Sequence, residues 1–122
     1  MIAGIGTDMI EIGRVAKACG RESFLDKVYT LPEQKLISGN MSRAAGNFAV
    51  KEAVVKAFGT GFGKIQPVEV EVLRDAAGKP YVNLYGAAKQ QAEAMGMGHI
   101  FVSISNEKEY AVAFVVAEMR ER

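Results

Sequence analysis

Cysteine occurs once in the 122 residues, at Cys19, which excludes an internal disulfide framework and fits a reducing cytosol. Histidine is equally scarce. His99 and Cys19 are the sole members of their types, so neither a Cys/His zinc cluster nor a local Cys–His catalytic pair can be built. Excess charge of one sign is also lacking: the net charge is +1, too little to give a global field for nucleic acid or an anionic membrane. No apolar run approaches the length of a membrane span, and none is preceded by a basic leader. What remains is 49% hydrophobic content in a short chain. That suits one soluble, intracellular domain over residues 1–122, able to bury about two-thirds of its surface.

Charge appears where it is least expected in the run from Asn47 to Gly61. On a helical wheel, Val50, Val54, Val55, Phe58 and the alanines at 44, 45, 49, 53 and 57 spread apolar surface around nearly the whole circumference, the pattern of a buried helix. Glu52 and Lys56 nevertheless sit beside Phe48, Ala45 and Ala49. An unpartnered buried charge costs several kcal/mol, on the order of a small domain's net stability. The two residues must pair with each other, bind something, or face a cleft. The plain alternative is an ordinary i, i+4 ion pair worth about 0.3–0.5 kcal/mol.

At the N-terminus, apolar residues at 2, 5, 9, 10 and 12 together with Gly4 and Gly6 read as a buried strand against which another backbone passes closely. Asp8 lies inside that run, although Asp is disfavoured in strands. One reading makes Thr7 and Asp8 a cap for the following helix. The other joins Asp8 to Glu52 as a hard-oxygen Mg²⁺ site, because Mg²⁺ typically takes one or two carboxylates and completes its octahedron with water and substrate phosphates.

The rest of the chain places these residues. A first strand is expected over about 1–10, then helices over about 11–19, with Gly20 as the stop, and 21–28. Thr30-Leu31-Pro32-Glu33 is a capping box that opens a helix running to about Ser38. Asn40 or Ser42 caps the long helix, and Gly59 ends it. The period then changes from 3.6 to 2: Val68, Val70 and Val72 alternate with Glu69 and Glu71 in a half-buried strand. Turn residues at 75–80 lead to a hairpin partner at 81–85, a helix at 87–95 and a last hairpin from 100–105 to 110–119. The order argues an α+β domain with an antiparallel sheet packed against the long buried helix.

Gly59-Thr60-Gly61-Phe62-Gly63-Lys64 looks like a phosphate loop but matches neither standard pattern. Phe58 stands where the Walker spacing needs glycine, and the loop follows a helix rather than a strand. It reads better as a helix C-cap, though bare glycine backbone still admits a ligand. Arg14, Lys17 and Arg21 form one positive stripe, either solvated or a docking surface for an acidic partner. Arg43, Asn47 and Lys51 form a second stripe opposite Glu52 and Lys56, which one ligand could not share; it would serve a neighbouring subunit.

Residues 4–14, residues 51–61, Gly78-Lys79-Pro80 and Val102-Ser103-Ile104-Ser105-Asn106 together resemble the holo-[acyl-carrier-protein] synthase family, the short single-domain type of 4′-phosphopantetheinyl transferase. The match of order and spacing extends from end to end. The resemblance implies Mg²⁺-dependent transfer of phosphopantetheine from coenzyme A to a serine of apo acyl carrier protein, in fatty acid biosynthesis, releasing adenosine 3′,5′-bisphosphate. It assigns Asp8 and Glu52 to the metal, Lys56 to the pyrophosphate, Gly59, Thr60 and Gly61 to the nucleotide, and Arg14 to carrier docking. It also implies a homotrimer with sites between subunits. On this reading Glu52 and Lys56 are the catalytic residues, with Glu52 or water on the metal as base for the serine hydroxyl.

Two positions depart from the family pattern. Asn106 stands where His is usual; it can donate a hydrogen bond to phosphate but cannot shuttle a proton near neutral pH. Asn47 stands where Arg is often found, so a phosphate contact is expected to be either lost or moved to Arg43. The rival expectations are a catalytically silent binder of coenzyme A or carrier protein and a Mg²⁺-dependent nucleotide phosphohydrolase.

Overall fold

Small residues decide where the long helix lies. In the computed structural model, which describes residues 1–121, the elements are β1 (Ile2–Glu11), α1 (Ile12–Cys19), α2 (Glu22–Val28), α3 (Leu31–Ile37), α4 (Met41–Phe58), β2 (Val70–Arg74), β3 (Pro80–Leu84), α5 (Gly86–Ala94), β4 (Met97–Asn106) and β5 (Tyr110–Met119). β1, β5 and β4 form an antiparallel sheet in that order, and β2–β3 is a separate hairpin. α4 crosses β1 at backbone distance. A Cβ on Gly4 would strike the Ala57 carbonyl, and one on Gly6 the Ala53 carbonyl. Since side chains alternate along a strand, Asp8 shares the face of Gly4 and Gly6 and turns toward α4. Asp8 pairs with Ala113, which in turn pairs with Ile104, so the α4 side of the sheet is mostly small or aliphatic.

The core falls into two clusters. Ala49, Val50, Ala53 and Val54 pack on Val70, Val72, Ala113 and Val115, while Val15, Val28, Tyr29 and Ile37 gather around Ala44 and Ala45. The opposite face of the sheet is uncovered: Ile5, Met9, Phe101 and Phe114 are all exposed. Among the described residues no helix is long and apolar enough to cross a membrane.

The expected termini of α4 hold. Asn40 Oδ1 accepts from the Arg43 backbone N–H at 3.0 Å, and Gly59 takes a φ of 77°. The capping box of α3 forms in both directions. Three expectations change. Thr7 and Asp8 cap nothing, because β1 continues through them and Thr7 Oγ1 donates to the Ala113 carbonyl at 3.1 Å. Pro67 opens a single 3₁₀ turn to Glu69, so β2 starts at Val70 rather than Val68. Glu71 does not face water as the alternation suggests; it is 5% exposed and accepts from Thr30, Asn83 and Tyr85.

Candidate active site

The close passage of α4 over β1 brings the two suspected carboxylates together. Asp8 from β1 and Glu52 from α4 line one cleft of about 500 Å³, together with Arg14 and Val15 of α1, Phe24 and Phe48. Glu52 does not pair with Lys56 one turn on. Lys56 instead crosses to β1, donating to Asp8 Oδ1 at 3.2 Å and to the Thr7 carbonyl at 3.0 Å. Glu52 therefore faces the cleft without a hydrogen-bonded partner. Its carboxyl is pushed above the usual range by burial and then by neighbouring Asp8, with Lys56 and Arg14 opposing the rise. Asp8 is paired with Lys56, whereas the Glu52 carboxylate has no hydrogen-bonded partner and is free to take a further cation. Among the described residues no group of three or more His, Cys, Asp or Glu could hold a metal. A two-carboxylate, all-oxygen set suits Mg²⁺, which keeps several waters or substrate oxygens, and does not suit zinc.

The other expected site residues lie elsewhere on the chain. Gly59, Thr60 and Gly61 form the exit from α4, with Gly61 at a φ of 63° and Thr60 Oγ1 donating to the Gly61 carbonyl at 2.8 Å. Thr60 and Lys64 line a second cavity of about 380 Å³ against Gln90 and Gln91 of α5. Arg43 and Asn106 are exposed at the opposite end of α4. Arg43 donates to the Leu36 carbonyl at 3.0 Å and Asn106 to the Ser42 carbonyl at 3.0 Å. Thirteen residues of helix separate Arg43 from Lys56, about 20 Å of rise. One chain thus brings Asp8, Glu52, Lys56 and Arg14 together but keeps Arg43 and Asn106 away from them. Arg14, Lys17 and Arg21 are exposed and share one groove at the rim of the cleft.

The second stripe is corrected. Asn47 and Lys51 are fully buried and bond within their own chain, so neither faces a neighbouring subunit or a phosphate. Lys51 Nζ donates to Glu33 Oε1 at 2.8 Å, to the Pro67 carbonyl at 3.1 Å and to the Val70 carbonyl. Asn47 Nδ2 donates to Glu33 Oε2 at 3.1 Å and to the Val72 carbonyl at 2.9 Å. Burial pushes the Glu33 carboxyl up and the Lys51 ammonium down, each partly offset by the other. The wheel carried a signal for this: Lys51 sits in a helix apolar on all sides. Its partner was hidden, because a capping-box glutamate ordinarily faces solvent.

Asp8 and Glu52 in one cleft, with Lys56 bonded to Asp8 and the exposed cations of α1 at the rim, make an arrangement suited to phosphate chemistry. A family model described as the 4′-phosphopantetheinyl transferase superfamily matches residues 4–115. The chain belongs to that superfamily. Over 119 residues it is 60% identical to the holo-[acyl-carrier-protein] synthase of Lachnoclostridium phytofermentans, covering 98% of both chains. The solved holo-(acyl-carrier-protein) synthase of Bacillus anthracis, in complex with coenzyme A (3′,5′-ADP), superposes with a TM-score of 0.82 at 36% identity, covering 98% of this chain and 99% of that one. The Helicobacter pylori holo-[acyl-carrier-protein] synthase in complex with coenzyme A gives 0.84 at 28% identity, covering 93% and 99%.

Proposed function

We infer that the chain transfers the 4′-phosphopantetheine group of coenzyme A to a serine of apo acyl carrier protein, releasing adenosine 3′,5′-bisphosphate. The observation that carries this reading is the meeting of Asp8 and Glu52 in one cleft beside the basic face of α1, with Lys56 bonded to Asp8. The reaction is a displacement at phosphorus, so its catalysis is mostly positioning and neutralisation of developing charge. Asp8 and Glu52 would hold Mg²⁺, which would supply part of that neutralisation. Lys56, half-exposed on a flexible stem, reaches the leaving side. Gly59, Thr60 and Gly61 offer open backbone to the nucleotide. The nucleophile arrives on the partner protein, which accounts for the absence of an activated serine or cysteine in the cleft. Chromatographic measurement of adenosine 3′,5′-bisphosphate tests the reading. Release that requires both apo carrier protein and Mg²⁺ is expected; release without carrier would identify a hydrolase, and no release a silent binder.

The carrier docks on the ridge of Arg14, Lys17 and Arg21, whose exposed cations suit an acidic surface. Arg14→Glu should raise the KM for carrier protein about tenfold at low salt while leaving coenzyme A binding near its wild-type value. The defect should fade as ionic strength rises, because rim charges are screened beyond about one Debye length. An effect appearing instead in coenzyme A affinity would remove the docking assignment.

The working form is a homotrimer, the assembly the family resemblance implies. Two observations support a site shared between copies. The sheet face bearing Ile5, Met9, Phe101 and Phe114 is apolar and exposed. Arg43 and Asn106, lying about 20 Å along α4 from Lys56, can join a diphosphate only if a second copy brings them. Phe114→Asp should convert the trimer to monomers in sedimentation analysis and reduce transfer by about 100-fold or more, the scale of losing positioning groups. A monomer with full activity would refute the shared site.

A further inference from the structure

Buried charge on the far side of α4 has no part in the chemistry described so far, yet it is fully bonded. Lys51 uses all three ammonium protons, and Glu33 accepts from Thr30, Asn47, Lys51 and Val72. Among the described residues, Asn47 Oδ1 is the one buried side-chain polar atom without a partner. Stability alone is a poor reason for such a cluster, since well-packed apolar groups in place of a buried ion pair are often neutral or stabilising. What the cluster supplies is direction. Where α4 crosses β1 its sheet-facing side is smooth, with Ala53 and Ala57 lying on Gly6 and Gly4. Ridges of alanine on glycine give packing little to interlock, so contact on that side fixes the separation of helix and strand better than the rotation of the helix. Asn47 and Lys51, one turn apart, tie α4 instead to α3 through Glu33 and to the start of the hairpin through the carbonyls of Pro67, Val70 and Val72. From Glu33 the network continues through Thr30, whose Oγ1 donates to Glu71 Oε2 at 2.6 Å, and then to Asn83 and Tyr85 of the hairpin region.

We propose that Glu33, Asn47 and Lys51 are positioning residues: they set the rotation of α4 and thereby aim Glu52 into the cleft and Lys56 at Asp8. Glu52 follows Lys51 directly, about 100° around the helix, so a rotation that displaces one displaces the other. A side-chain end lies about 5–6 Å from the helix axis, so a turn of about 20° carries it about 2 Å. Misplacement of about 1 Å already lowers turnover about 100-fold. The proposal rests on the assignment of Glu52 and Lys56 to the transfer site.

Two variants test it, Lys51→Met and Asn47→Leu. Leucine keeps the branching of asparagine and removes the orphaned Oδ1, at the cost of the two bonds from Nδ2 to Glu33 and the Val72 carbonyl. Both are assayed for kcat per folded molecule and, without coenzyme A, for Mg²⁺ affinity by calorimetry, with thermal unfolding as the check on folding. Turnover should fall about 100-fold in Lys51→Met and about tenfold in Asn47→Leu. Mg²⁺ affinity should weaken in both, although neither residue touches the cleft. A purely structural cluster would leave both quantities at wild-type values in a folded variant, and that result, in whichever variant folds, overturns the proposal. A wild-type protein that binds no Mg²⁺ and tolerates Glu52→Ala would instead overturn the site assignment, and the positioning role with it.

Discussion

Replacing Asp8 or Glu52 by alanine is expected to abolish Mg²⁺-stimulated transfer in a protein that still folds. Asp8, Glu11 and Glu52 all line the cleft, but the proposed metal set is Asp8 with Glu52, so on that reading either change removes half of the protein's donors to the metal. The loss should be at least about 100–1000-fold, the scale of deleting one preorganised electrostatic stabiliser. Folding should survive for different reasons at the two positions. Glu52 is disfavoured in its charged form by burial and by Asp8, so Glu52→Ala should hold or raise the melting temperature. Asp8→Ala deprives Lys56 of an ion pair, but that lysine is half-exposed and keeps the Thr7 carbonyl. Initial rates against Mg²⁺ concentration, paired with melting curves, decide the matter. Near-wild-type rates at moderate Mg²⁺ in either variant would remove the metal assignment.

Gly6→Ala is expected to damage the protein more than any polar substitution, though it adds one methyl group. The new Cβ would overlap the Ala53 carbonyl oxygen and lie 2.8 Å from its carbon and 3.1 Å from the Ala57 nitrogen. All three are backbone atoms of a helix and cannot swing aside as a side-chain tip can. α4 must lift from β1, which loosens the core and separates Glu52 from Asp8. A penalty of about 3 kcal/mol, at the top of the range for overpacking, is a large share of a total near 5–15 kcal/mol. It corresponds to roughly 10 °C of melting temperature for a domain of this size. Gly13→Ala is the internal control: it lies in α1 with nothing within 4 Å of a new Cβ, and should hold or slightly raise stability. Equal melting temperatures for the two variants would show that the helix does not need the glycine step.

The same glycines mark how far the sequence could be read. That α4 is the backbone crossing β1 comes from the structure, but the close approach at Gly4 and Gly6 and the buried helix of the all-apolar wheel were legible in the sequence. So were the Thr30 capping box, the Gly59 terminus and the convergence of Asp8 with Glu52. Pairing preferences were not. Local spacing favoured Glu52 with Lys56, but the strand carrying Asp8 runs alongside and gives the lysine two oxygens rather than one. Alternation misled at Glu71 because it marks which side of a strand a residue faces, not what covers that side. Lys51 was expected, with Arg43 and Asn47, to face a neighbouring subunit, because charge normally lies at a surface. Its partner lies 18 positions away on another helix, and that distance in sequence carries no local signal.

Intact-mass spectrometry of apo acyl carrier protein after incubation with this protein, coenzyme A and Mg²⁺ tests the central claim most directly. With the wild type, the carrier should gain the mass of one phosphopantetheine arm, on the serine that peptide mapping would locate. With Glu52→Ala, and with the wild type when Mg²⁺ is chelated, it should remain unmodified. A carrier left unmodified by folded wild-type protein, or modified equally well by Glu52→Ala, would contradict the account.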